Sequence, residues 1–96
     1  MSDPEIIRED SGSKGRYLLR QNGTEAELTF SVASPSLIIA DHTGVPDALR
    51  GTGAGAALVA RLVADAKAGG YKIVPLCPFV NAQRRRHPEW ADQFSA

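Results

Sequence analysis

The feature that most constrains this chain is a cluster of three glycines leading directly into an apolar segment with helical spacing. Gly51, Gly53 and Gly55 form the cluster, and the segment behind it extends to Ala68. Glycine lets a ligand approach the backbone closely, and the first turn of a helix leaves several N–H groups without intrahelical partners. These donors, at the positive end of the helix dipole, favour an anion, most often a phosphate. The pattern predicts a phosphate-binding loop; a tight turn that only packs a helix on a sheet is the alternative.

Two other phosphate motifs fit this segment less well. A P-loop needs Lys-Ser or Lys-Thr after its last glycine, and Ala56-Ala57 stand there instead. The spacing of Gly51, Gly53 and Ala56 loosely matches a dinucleotide fingerprint. However, the strand predicted after the helix ends in Leu76-Cys77 without a ribose-binding acid, and the chain is too short for two nucleotide-binding halves.

Bulk composition indicates one ordinary globular domain, residues 1–96, for which we expect a monomer or weak dimer. Eleven basic residues balance eleven acidic ones, so no general attraction to nucleic acid or anionic membrane is expected. The single cysteine, Cys77, excludes an intramolecular disulfide and is typical of a reducing compartment. No apolar run reaches the roughly 20 residues of a membrane span, and the first residues lack a signal-peptide layout. We therefore expect a cytoplasmic protein with no metal site.

Periodicity along the chain predicts five strands and two helices. Ala26 to Val32 alternates apolar and polar residues, as in a strand with one buried face, and Asn22-Gly23 before it is a strong hairpin signal. After residues 1–4, a frayed terminus, the predicted elements are strands 5–9 and 16–21 separated by a turn at 10–15, strand 26–32, strand 37–40 continuing to 43, helix 52–68 stopped by Gly69-Gly70, strand 72–76, helix 78–86 and a last turn at 89–94.

Three blocks, in order and at matching spacing, resemble one group of proteins. They are His42-Thr-Gly-Val-Pro46, Leu49-Arg-Gly-Thr-Gly-Ala-Gly-Ala-Ala-Leu-Val59, and Pro75-Leu-Cys-Pro-Phe-Val80 with Arg85-Arg-His-Pro-Glu-Trp90. Between about Tyr17 and Phe94 the chain resembles a small, single-domain member of the GNAT-type N-acetyltransferase superfamily. The middle block carries that superfamily's acetyl-CoA signature, Arg50-x-x-Gly53-x-Gly55.

The resemblance implies an α+β fold with a mostly antiparallel sheet whose middle strands splay apart. Pro75, which cannot complete a ladder bond, fits such a splay. The pantetheine arm of acetyl-CoA is expected in the gap, beside the strand backbone at Thr43 to Val45, and the pyrophosphate on the amides of the glycine loop. The residues expected to bind coenzyme A are Thr43, Val45, Arg50, Gly51, Thr52, Gly53, Ala54, Gly55, Ala56, Asn81 and Arg85.

Two residues are candidates for the chemistry. Cys77 stands between a strand and a helix, where a thiolate is stabilised, and the resemblance places it near the thioester. Three interpretations of Cys77 stay open: a covalent nucleophile, a side chain that lines the site, and a small buried hydrophobic residue. His42 is a candidate general base or a structural histidine. The family commonly has an acid at position 44, where this chain has Gly44, so the base stays open.

The resemblance also leaves the acid of the reaction unassigned. Asn81 matches the asparagine that bonds the pantetheine arm in this superfamily, but no tyrosine lies between Lys72 and Ala96 to protonate the departing thiolate. Gln83 stands where relatives often have an aromatic residue. Arg84 to Arg86 is the one run of charged residues in the sequence. Either the run forms a solvated helix face, or one of its members, Arg85, reaches a CoA phosphate.

The function that follows is transfer of an acetyl group from acetyl-CoA to an amine in a ternary complex, with the Val45 N–H at the oxyanion. The alternatives are transfer through an acetylated Cys77 and a non-catalytic module that binds acyl-CoA. Typical members carry two further helices between their first strands, whereas only Asp10 to Gly15 fills that interval here. We therefore expect an open acceptor side, suited to a protein, a peptide or an extended amine.

Overall fold

The fold is a five-stranded sheet with two helices packed on it, seen in a computed structural model that describes residues 5–95. The frayed terminus predicted at residues 1–4 lies outside the described residues. In chain order the elements are β1 (Glu5–Ser11), β2 (Lys14–Gln21), β3 (Thr24–Ser34), β4 (Leu37–Gly44), a 3₁₀ turn (Asp47–Leu49), α1 (Ala54–Gly69), β5 (Lys72–Val74), α2 (Pro78–Arg86) and a 3₁₀ segment (Pro88–Gln93). The strands lie in sequence order; β1 to β4 are antiparallel, and β5 is parallel to β4. The predicted α+β class with a mostly antiparallel sheet is confirmed.

Two tight hairpins join the first three strands. At Asn22-Gly23 both residues have positive φ, 54° and 74°, as a two-residue hairpin turn requires. The predicted six-residue turn at 10–15 is wrong, because pairing continues to Ser11 and Lys14 and leaves only residues 12 and 13 between the strands. Gly12, with φ of 62°, permits this shorter turn.

The core lies between one face of the sheet and the helices. Alternate residues of β3 (Ala26, Leu28 and Phe30) are at most 1% exposed. They join the apolar stripe of α1 in one cluster, which α2 enters through Val80. The opposite sheet face, called here the outer face, carries cross-strand ion pairs such as Arg16–Glu9 at 2.7 Å and Arg20–Glu25 at 2.5 Å.

A β-bulge at Asp41 changes which residues of β4 face the core. Phe30 pairs with Ala40 but Thr29 pairs with His42, so Asp41 has no partner of its own in the ladder, and its carboxylate accepts a hydrogen bond of 2.6 Å from Ser31. Before the bulge Ala40 faces the core. After it Thr43, the partner of core residue Leu28, lies on the core face, and His42 lies on the outer face.

The predicted splay of the sheet begins where β5 ends. The strand was predicted to reach Leu76 but ends at Val74, because Pro75 has no N–H for the ladder and Leu76 N–H turns back to the Val74 carbonyl at 3.0 Å. Only Leu37 to Ile39 of β4 pair with β5. One further bond, from Cys77 N–H to the Ala40 carbonyl at 2.9 Å, closes the junction, and the rest of β4 extends without β5 beside it.

Both helices have ends dictated by local sequence. α1 begins at Ala54, two residues later than predicted, because its N-cap, Gly53, has φ of 85°. It ends at Gly69, one residue later than predicted, with Gly70 in the left-handed conformation and its N–H bonded to the Ala66 carbonyl. α2 spans Pro78–Arg86 as predicted, with proline in the first turn and Cys77 as N-cap.

A polar cluster fastens the edge strand β1 to α1. Arg8 donates to the hydroxyls of Tyr17 and Tyr71, each at 3.1 Å, and to Asp65 at 3.2 Å. Tyr17, itself fully buried, donates to the same carboxylate at 2.6 Å. Partial burial of Asp65 opposes its ionisation, but the hydrogen bonds from Tyr17, Arg61 and Arg8 outweigh burial and hold its pKa below the ordinary carboxyl value. Asp65 is therefore ionised at neutral pH, and its carboxylate is stabilised by Arg8, Arg61 and the neutral Tyr17 hydroxyl.

Candidate functional site

A cavity of about 420 Å³ opens between the end of β4, the start of α1 and the inner side of α2. Most of its wall is glycine backbone or apolar side chain. The lining residues are Thr43, Val45, Leu49, Arg50, Gly51, Gly53, Ala54, Gly55, Ala56, Phe79 and Gln83. Eight of the eleven residues predicted to bind coenzyme A are therefore brought together; Thr52, Asn81 and Arg85 do not line the cavity.

The glycine loop offers free backbone donors to this cavity. Gly51 and Gly53 have φ of 77° and 85°, which L side chains rarely adopt. The first intrahelical bond runs from Ala57 N–H to the Gly53 carbonyl, and no backbone acceptor among residues 5–95 takes the N–H of Gly55 or Ala56. α1 has neither a side-chain N-cap bond nor an acidic residue in its first turn. An anion can therefore accept hydrogen bonds from these N–H groups, as a capping side chain does at the start of other helices.

Thr52 and Arg50 shape the loop and its rim. The Thr52 hydroxyl donates to the Leu49 carbonyl at 2.5 Å and accepts from Ala54 N–H at 3.3 Å, so it stabilises the turn. Arg50 is largely exposed, and its Nε lies 3.1 Å from an exposed Asp47 carboxylate. Such a solvated pair is weak, so the guanidinium remains able to reach an anion at the cavity mouth.

Gly55 is required by the side chain opposite it. A Cβ there would lie 2.6 Å from the Phe79 ring and 3.3 Å from a methyl group of Val45. The absence of a side chain at Gly55 therefore lets α2, the residue after β4 and the first turn of α1 approach one another closely around a narrow passage. Phe79 is about one-third exposed, so its ring also faces the cavity opening.

Cys77 and Thr43 meet beside the splay of the sheet. The Cys77 thiol is 4% exposed, and its sulfur lies 3.4 Å from the Thr43 hydroxyl, which itself lines the cavity. Cys77 is also the N-cap of α2, so its side chain lies at the start of that helix. The thiol is thus buried but adjoins the cavity through a polar neighbour.

His42 lies on the outer face, opposite the side of β4 from which Thr43 contacts Cys77. It is exposed, and its Nε2 lies 3.5 Å from the place that a Cβ of residue 44 would occupy. The His42 ring therefore extends along β4 toward Gly44, the last residue of that strand. The structure does not place the two candidate catalytic side chains on one face of the sheet.

Asn81 and Arg85 lie on other sides of α2. The Asn81 side-chain oxygen accepts two hydrogen bonds from Arg84, at 3.1 and 2.8 Å, and Arg85 is exposed. Their expected contacts with coenzyme A stay predictions.

Three lining residues were absent from the sequence-based set: Leu49, Phe79 and Gln83. Leu49 and Phe79 depend on long-range packing that no local pattern reveals. Gln83 had a local signal, because it follows the buried Val80 by three residues and so shares the inner face of α2.

Comparison with protein-family models matches residues 16–93 to a family described as GCN5-related N-acetyl-transferase. No curated protein matches the chain. Within residues 5–95, no helix is both long and apolar enough to cross a membrane.

Proposed function

The chain belongs to the GCN5-related N-acetyltransferase family, and from that membership we propose that it transfers an acetyl group from acetyl-CoA to an amine. The observation that carries this proposal is the cavity whose wall contains the uncapped start of α1. Such a site suits a ligand with a phosphate group at one end and a long, narrow, largely neutral arm.

The described residues fit coenzyme A at three points. The amides of Gly55 and Ala56 would hold the pyrophosphate, and Arg50 would neutralise it at the rim. The backbone between Thr43 and Val45, which β5 leaves free, would pair with the amides of the pantetheine arm. The sulfur end would then lie near Thr43 and Cys77.

Bound acetyl-CoA would supply a thioester carbonyl for attack by an amine nitrogen, with the carbon–sulfur bond breaking and the CoA sulfur departing as a thiolate, whose thiol pKa near 8.5 makes an acid unnecessary. The Val45 N–H would donate to the thioester carbonyl oxygen and so favour attack. His42 would accept the proton of the amine from the outer face. Cys77 would form the wall beside the sulfur.

A second route is favoured by the contact between Cys77 and Thr43 and by the N-cap position of Cys77. In it the Cys77 sulfur attacks the thioester carbonyl, and the thiol proton passes to the departing CoA thiolate. The amine then attacks the acetyl carbon, the bond to the Cys77 sulfur breaks, and an amine proton restores the Cys77 thiol. A chain that binds acyl-CoA without turnover is the non-catalytic alternative.

The acceptor side is proposed to be open. Among residues 5–95 no helix lies between β1 and β2, and the outer face near His42 and Gly44 is bordered by strands. This shape suits an amine presented by a protein, a peptide or an extended molecule. A closed small-molecule pocket beside His42 in a structure with bound acceptor would contradict it.

The test is a native mass spectrum after incubation with acetyl-CoA. We expect a mass increase of one intact cofactor that is lost on denaturation. An acetyl adduct that survives denaturation and disappears in Cys77→Ala would establish the second route. The absence of any adduct would overturn the proposed function.

A steady-state assay separates catalysis from binding. Release of free CoA is followed with a panel of lysine peptides and polyamines at saturating acetyl-CoA. Direct attack predicts that Cys77→Ala keeps its turnover; binding without amine-dependent release supports the non-catalytic alternative.

A further inference from the structure

Gln83 is a buried residue whose side-chain amide has no hydrogen-bond partner among residues 5–95. Gln83 is 8% exposed and is the only buried residue of polar or charged type among residues 5–95. No hydrogen bond from or to its side chain occurs within that range, and the residue lines the cavity between α2 and the glycine loop. Its amide atoms are not among the enclosed polar atoms that lack a partner, so they keep accessible surface and are open to a ligand in the cavity.

The neighbouring amide of α2 shows the contrast. Asn81 is held by two hydrogen bonds from Arg84, whereas Gln83, on the inner face with Val80, points into the cavity wall. Gln83 is therefore the polar side chain of α2 that is available to a ligand in the cavity.

The surroundings of Gln83 identify the chemistry it matches. Along the cavity its neighbours are apolar or glycine, and the charged Arg50 stands at the exposed rim beside the loop. A carboxamide offers both a donor and an acceptor, which is the pattern of another amide. A phosphate, by contrast, is served by the free N–H groups of Gly55 and Ala56.

We propose that Gln83 hydrogen-bonds an amide of the pantetheine arm and so positions the acyl-CoA along α2. This inference rests on the proposed function. It assigns to Gln83 recognition of the arm, as distinct from recognition of the nucleotide.

The experiment compares two ligands and three proteins by titration calorimetry. The ligands are coenzyme A and adenosine 3′-phosphate 5′-diphosphate, which keeps the nucleotide and pyrophosphate but lacks the arm. The proteins are wild type, Gln83→Leu, and Gln93→Leu as a matched control on the far side of α1. Loss of one hydrogen bond predicts that Gln83→Leu weakens CoA binding about three- to tenfold, while its affinity for the nucleotide stays unchanged. We expect Gln93→Leu to bind both ligands as wild type does.

Thermal unfolding of the free proteins supplies a readout independent of binding. Because the Gln83 amide makes no hydrogen bond within the described protein, Gln83→Leu should melt at or near the wild-type temperature. Unchanged CoA affinity, equal weakening of both ligands, or a marked fall in melting temperature would each overturn the assignment. Failure of wild type to bind CoA would instead overturn the proposed function, and the two failures are therefore distinct.

Discussion

Replacement of Asp65 by asparagine should destabilise the protein measurably, because one carboxylate serves three donors. Tyr17 and Arg8 reach it at 2.6 and 3.2 Å, and Arg61 approaches from one helical turn away at 3.2 Å. Asparagine keeps the shape and nearly the same helix propensity but lacks the charge. Hydrogen bonds to charged groups are about twice as strong as neutral ones, so the loss should be about 1–2 kcal/mol. For a domain of this size that corresponds to a fall in melting temperature of about 5–15 °C.

The assay is urea and thermal unfolding of wild type and Asp65→Asn between pH 3 and pH 8. Because the pKa of Asp65 is lowered in the folded state, its stabilising effect is fully present above the pKa of the unfolded carboxyl, about 4. It is lost as pH falls through the lower, folded pKa. The two proteins should therefore differ most at neutral pH and converge in acid.

Asp92→Asn, at an exposed position, is the control and should unfold as wild type does. Tyr17→Phe and the double variant complete a double-mutant cycle. In this cycle the two changes in the free energy of unfolding should not be additive, because both residues belong to one hydrogen bond. A difference below about 0.5 kcal/mol at pH 7, or one that persists undiminished at pH 3, would refute the reasoning.

Three further predictions concern the site. Gly53→Ala puts a side chain at a residue with φ of 85°, so the free energy of unfolding should fall by about 1–2 kcal/mol. The affinity for CoA should fall as well, because the loop is distorted. Unchanged affinity in titration calorimetry would contradict the role of the loop in binding. Gly55→Ala gains helix propensity but displaces the Phe79 ring, which is about one-third exposed. The melting temperature should therefore hold while CoA binding weakens, and tighter binding would contradict the narrow passage. His42→Ala should lower the rate of acetyl transfer about 10²- to 10⁴-fold with CoA affinity unchanged, as expected for a proton acceptor; a rate within twofold of wild type would exclude His42 as the base.

Elements with local signals were predicted well. The Asn22-Gly23 hairpin, the Gly70 stop and the whole of α2 after Pro78 follow from residues that permit few other backbone conformations. The glycine loop was recognisable for the same reason, because positive φ and free amides are properties of a short segment.

Features that depend on distant partners were not predictable. The opposing ring of Phe79 explains Gly55, but it lies 24 residues away and shows no pattern in the sequence. Asn81 was expected at the cofactor, and its bonds to Arg84 could not be read from a run of three arginines. The face on which His42 lies could not be predicted either. Strict alternation from Ala40 would put His42 toward the core, and the sequence does not reveal the bulge that prevents this.

The bulge at Asp41 separates the number of residues in β4 from the faces on which they lie. If Asp41 were deleted, the strand would alternate strictly, with Ala40 and Thr43 still on the core face and His42 still on the outer face. If Asp41 stayed but the bulge were lost, the imidazole would turn toward Cys77 and the Thr43 hydroxyl would turn to the outer face. In evolutionary terms, the bulge lets β4 hold one additional residue without exchanging a thiol–hydroxyl neighbourhood for a thiol–imidazole pair.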